Sequence, residues 1–115
     1  MIHHAARPIR PALLEQCVEF YGRLGFRQVA VPSGVADRAV WLQHDGTQIH
    51  LLLDEHAEPE RGHVAVVLDD YPGTVESLAA AGTEVEARQE HWGSPRAYVR
   101  DPAGNLVELM AFAPS

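Results

Sequence analysis

Apolar and polar positions along the chain fall into two periodicities, and these alternate twice. Residues 2–6 form a short apolar run of strand length with His3 and His4 on opposite faces, and residues 7–11 hold two prolines and are expected to be irregular. Over residues 12–24 the side chains Leu13, Cys17, Phe20, Tyr21 and Leu24 recur at helical spacing, and Gly25 is placed to end the helix. Residues 26–31, 39–42 and 47–53 read as strands. Asp45-Gly46 makes the hairpin between the last two, and Gln48, His50 and Leu52 share a face. A polar, acidic connector follows, and then the order returns: a strand at 63–68, a helix at 71–81 closed by Gly82, a strand at 83–87 and a loop at 88–94.

The last hairpin, residues 96–110, carries the informative position. Pro102 presets an early turn residue and Gly104 tolerates positive φ, so Asp101-Pro102-Ala103-Gly104-Asn105 joins two strands. In the second strand Glu108 shares a face with Leu106 and Met110, while Val107 and Leu109 point the other way. Both faces are partly apolar, so Glu108 is expected to be at least half buried. A buried carboxylate needs a partner, commonly arginine, lysine or a metal.

The chain thus reads βαβββ twice, with module one at about residues 1–54, a connector at 55–61 and module two at 62–113, in one domain of the α+β class. Four positions beyond each hairpin glycine, Gly46 and Gly104, a polar residue stands inside an apolar strand: His50 and Glu108. A histidine near the start of each module, His4 or His63, echoes the same way. Two such units packed about a pseudo-twofold axis would turn His4, His63, His50 and Glu108 toward a shared cavity.

Composition narrows the function classes. A net charge of −7 with no lysine argues against nucleic acid, which wants clustered cations. No apolar run approaches the ~20 residues of a membrane span, and no apolar leader segment opens the chain, so no membrane association and a cytoplasmic location are expected. The single Cys17 falls on the helical stripe and reads as a buried thiol. Seven histidines are the one oddity, and they make metal or proton chemistry the class to test.

Two segments resemble a known family. Phe20-Tyr21-Gly22-Arg23-Leu24-Gly25-Phe26 is similar to an FYxxxLGF signature, and Asp101 to Leu109 is similar to DPxGNxxEL, both of the vicinal oxygen chelate (glyoxalase/bleomycin resistance/dioxygenase) superfamily. The resemblance spans essentially the whole chain. It implies paired βαβββ modules curled into one mixed sheet, a cup with helices outside, around a divalent metal ion (Zn, Ni, Mn, Fe or Co). It also implies a small-molecule substrate and a homodimer, in some members with the cup completed by exchange between chains. Carried over by position, the metal ligands are His4 (His3 in the alternative register), His63 and Glu108. The fourth position is glutamate in glyoxalase I-like members and is His50 here, either a ligand or a proton-moving group with Glu108. Arg96, Tyr98 and Trp92 are the candidate substrate contacts; His44, His56 and His91 are expected to be solvated. The activity implied is that of a metal-dependent isomerase or lyase on a small anionic substrate with adjacent oxygens. The alternatives are a fosfomycin-type thiol or water transferase, a metal-free binder of the bleomycin-resistance kind and, last, an extradiol dioxygenase.

Overall fold

A computed structural model describes residues 1–114. Module one contributes β1 (His4–Ile9), a 3-10 turn (Pro11–Leu13), α1 (Leu14–Arg23), β2 (Arg27–Val29), β3 (Ala39–His44) and β4 (Thr47–Leu53). Module two contributes β5 (His63–Val67), α2 (Tyr71–Ala80), β6 (Glu86–Ala87), β7 (Arg96–Arg100) and β8 (Leu106–Met110). The strand orders are β1-β4-β3-β2 and β5-β8-β7-β6, so each module builds the same mixed sheet, with one parallel and two antiparallel pairings. No helix among the described residues is long and apolar enough to cross a membrane.

The expectation of one curled mixed sheet is overturned. The strands hydrogen-bond as two separate four-stranded sheets, neither strongly curled, and no ladder joins them among the described residues. The physical reason lies at the junction, where the modules meet through side chains rather than through backbone pairing. Arg7, 3% exposed, donates from Nη2 to the carbonyl of Leu106 (2.8 Å). Asn105 donates from Nδ2 to the carbonyl of Pro8 (3.1 Å) and accepts from the backbone N–H of Glu60 (2.9 Å). The Tyr21 hydroxyl donates to Asp101 (2.7 Å). Inside this junction one apolar core runs across both modules, taking Ile9, Cys17, Phe20, Tyr21, Leu42 and Leu51 from the first and Leu68, Leu78, Val99, Val107 and Leu109 from the second.

Several element boundaries also differ from expectation. Residues 7–9 belong to β1 rather than to an irregular stretch, because β1 is an edge strand and Pro8 needs no N–H on its unpaired side. Residues 12 and 13 lie in a 3-10 turn, and the α-helix proper begins at Leu14. The strand expected at 83–87 shrinks to Glu86–Ala87, opposite Tyr98 and Ala97.

Candidate functional site

Period-two alternation sorts each sheet into a core face and an outer face. On sheet one, Ile9, Leu42, Ile49 and Leu51 enter the core. The opposite face carries His4, Trp41, Gln43, Gln48 and His50, with Trp41 paired to His50 and His4 to Gln48. On sheet two, Val99, Val107 and Leu109 enter the core. The opposite face carries His63, Arg96, Tyr98 and Glu108, with Tyr98 paired to Glu108 and His63 to Leu106. The echo therefore holds residue by residue in the ladders. His4 stands one pair before the His50 position and His63 one pair before the Glu108 position, and an aromatic residue, Trp41 or Tyr98, lies beside each on the third strand.

Module one gathers imidazoles. His3, His4 and His50 each offer a ligand nitrogen within 4.8 Å of the others. The Nδ1 atoms of His3 and His4 are 3.0 Å apart, so the two rings meet instead of pointing to opposite faces. This follows from the strand's start: β1 begins at His4, and His3 is tied in ahead of it only by its carbonyl, which accepts from the N–H of Gln48 (2.9 Å). His50, 6% exposed, is sandwiched between the stacked rings of His4 (3.8 Å) and Trp41 (4.1 Å). Burial, followed by the neighbouring charges of His4 and His3, lowers the His50 pKa below its ordinary value. Its Nε2 donates to Gln48 Oε1 (2.7 Å), and the Gln48 amide nitrogen donates to Gln43 Oε1 (2.9 Å).

Module two gathers an ion-pair cluster. Glu108 is 8% exposed, and its partners are both a histidine and an arginine: His63 Nε2 lies 3.1 Å from Oε1, and Arg96 Nη1 lies 3.4 Å from Oε2. Arg96 is held from behind by the carbonyl of Gln89 (2.8 Å). The Arg96 and Arg88 guanidinium carbons lie 5.8 and 5.1 Å from the centre of the Tyr98 ring. Arg88 escaped the sequence reading because it was placed in a loop. The polar alternation Glu84, Glu86, Arg88 into the strand that pairs with Tyr98 was the available signal.

The candidate residues thus form two groups within one chain. His4 joins His50 and His3, and His63 joins Glu108, Arg96 and Tyr98; His4 shares no ligand group with His63 or Glu108 among the described residues. Trp92 stands apart from both, its indole N–H donating to the carbonyl of Phe112 (2.9 Å). His44, expected to be solvated, is instead packed: its side chain is 24% exposed, lies against Phe26 (5.6 Å between ring centres) and faces Asp45 and Asp69. His44, Asp45 and Asp69 form a second group with metal-ligand spacing, on an exposed edge away from both clusters. His56 and His91 are exposed.

A family model described as a glyoxalase-like domain matches residues 9–110. The chain belongs to the glyoxalase-like domain family. It thereby falls in the glyoxalase/vicinal oxygen chelate superfamily. Among solved structures, a protein of Bacillus anthracis assigned provisionally to the glyoxalase family is 26% identical, with a TM-score of 0.85 over 96% of this chain and 93% of that one. A lactoylglutathione lyase of Agrobacterium tumefaciens is 23% identical, with a TM-score of 0.73 over 96% and 92%. A bleomycin resistance determinant encoded on the transposon Tn5 is 20% identical, with a TM-score of 0.67 over 92% and 94%. The last two likenesses concern the fold alone. No protein with a curated description matches the sequence.

The residues on sheet one suit the divalent ion that the superfamily implies. Imidazole is a good donor for Zn, Ni and Co, and two ligand nitrogens on a tetrahedral ion with bonds of about 2.0–2.1 Å stand a little over ~3 Å apart, close to the His3–His4 separation.

Proposed function

We propose that this glyoxalase-like protein is a divalent-metal-dependent isomerase or lyase acting on a small anionic substrate with two adjacent oxygens. One observation carries the reading: equivalent positions of the two sheets present complementary chemistry, imidazoles on the first and a carboxylate–histidine–arginine cluster on the second. These two groups do not meet in one chain. The active site is therefore assembled from sheet one of one chain and sheet two of a second copy, which makes the protein a homodimer. Apolar residues left exposed on the two outer faces, Leu52 and Val67, are 41% and 45% accessible and would be covered in the process.

His4 and His50 would hold the ion, which supplies a Lewis acid to polarise the paired substrate oxygens. Glu108 is the proton-moving group. It is buried beside the open face and keeps a hydrogen-bonded histidine, His63, with which it can exchange a proton. Arg96 and Arg88 flank Tyr98 and give a chain of net charge −7 a local positive rim, to which a substrate carboxylate or oxyanion binds. Tyr98 forms the floor between them.

The test is turnover of thiol adducts of 2-oxoaldehydes by metal-stripped and metal-reloaded protein. Activity should appear only on reloading, and Glu108→Gln should lower kcat by about 10²–10⁴-fold with a smaller change in KM. Turnover indifferent to chelators would reject the reading. A second reading, a metal-free binding protein, draws on the Arg96–Glu108–His63 cluster, whose charges already satisfy one another. It predicts tight ligand binding, no turnover and no change on chelation.

A further inference from the structure

We infer that the metal ion is held by His3, His4 and His50, three imidazoles of a single module, and that Glu108 stays outside its ligand set. This rests on the metal-dependent part of the reading above, and it departs from the pattern in which ligands come from both modules and include the last-strand carboxylate. Two independent sets of contacts lead to it.

On sheet one the donors are already together and one of them is prepared. Ligand nitrogens of all three histidines lie within 4.8 Å of one another. His50 is the fixed member, its ring clamped between Trp41 and His4. Because its Nε2–H is spent on Gln48 Oε1, Nδ1 carries the lone pair, and the Gln43–Gln48 hydrogen bond keeps that amide oriented. A histidine whose outer nitrogen donates to a fixed carbonyl is the usual arrangement behind a metal ligand. His3 and His4 are exposed and turn freely about their side-chain bonds to meet an ion. Three neutral imidazoles select Zn, Ni, Co or Cu over Mg or Ca, which want oxygen ligands.

On sheet two the carboxylate is already engaged. Both Glu108 oxygens have partners, and the cation on Oε2 is Arg96, with each side chain 11% exposed. A dication bound to that carboxylate would sit within a few ångströms of a buried guanidinium and would have to displace it. Arginine cannot discharge the conflict by losing its proton. Glu108 is arranged to hold or move a proton.

Cobalt(II) titration of untagged protein distinguishes the possibilities, read by metal stoichiometry after gel filtration and by the visible absorption of the bound ion. Wild type, Glu108→Gln and His63→Ala should each bind one ion per chain with the same spectrum. His50→Gln and His3→Gln, checked for folding by circular dichroism, should bind more than about 100-fold more weakly, and Gln48→Met about 10–100-fold more weakly. Excess Mg should not compete. Loss of cobalt in Glu108→Gln or His63→Ala overturns the inference and leaves the metal-dependent function standing. Unchanged binding in His3→Gln or His50→Gln also overturns it. A wild-type protein that takes up no cobalt, zinc or nickel removes the functional reading as well.

Discussion

The indole of Trp41 lies flat on the imidazole of His50, the ring planes 1° from parallel and the centres 4.1 Å apart. The contact crosses adjacent strands at directly paired residues, so the backbone register enforces it. Trp41→Leu keeps the bulk and loses the stack, worth about 0.5–1.5 kcal/mol. If the stack holds His50 in its binding orientation, cobalt affinity falls about two- to tenfold, alongside a thermal midpoint lowered by a few degrees. A calorimetric titration and a melting curve on the same sample read both.

The Tyr21–Asp101 bond is a second point where one atom matters. The phenol donates at 2.7 Å to a carboxylate that is 3% exposed and also accepts the N–H groups of Ala103 and Asn105. Tyr21→Phe deletes the donor and leaves Oδ2 with a longer contact to Asn105 (3.3 Å). The expected cost is about 1.5–3 kcal/mol, measured as a fall in urea midpoint at constant slope.

Two glycines a turn apart should respond with opposite sign. Gly25 sits at φ +101°, and an added Cβ would stand 3.0 Å from the His44 ring. Gly25→Ala is expected to destabilise by about 1–2 kcal/mol. Gly22 lies inside α1 with nothing within 4 Å of a built Cβ. Gly22→Ala should stabilise by about 0.4–1 kcal/mol through a less mobile unfolded chain and better helix propensity. Parallel thermal melts of the two variants make the comparison.

Stability should decline in alkali. Burial, with the Asp101 charge second, pushes the Cys17 thiol from 9.0 up to about 12 and raises the Tyr21 phenol above its usual 10.0. Both groups keep their protons in the folded chain and lose them more readily when unfolded. Their contribution is therefore complete below pH 9.0 and is lost as pH rises through that value, with the cysteine share levelling off near 12. Urea midpoints taken between about pH 8 and pH 10.5 should fall steadily, and Cys17→Ala should flatten the slope. In the folded protein Cys17 should resist thiol reagents near neutrality.

Much of the site was legible from residue spacing. The hairpin glycines located His50 and Glu108, and strand alternation put Glu108 on the face of Leu106, where the ladder places it. Local rules failed where an outcome depended on a distant neighbour. Pro8 looked like a strand breaker because nothing nearby reveals that its strand has one free edge. His3 and His4 looked opposed because the strand's first residue was misjudged, and a one-residue error reverses faces. The relation between the two sheets was out of reach for the same reason. It is decided by Arg7, Asn105 and Asp101 acting across almost the full length of the chain.

Asn105 has a consequence for how the molecule comes apart. Its side chain alone ties the first strand, the connector and the final hairpin, through Pro8, Glu60 and Asp101. Two look-alike halves with their own sheets might be expected to melt one after the other, each at its own temperature. Riveted at this one amide and sharing a continuous interior, they should instead come undone in a single all-or-none calorimetric peak, and loosening the rivet with Asn105→Ala should split that peak in two.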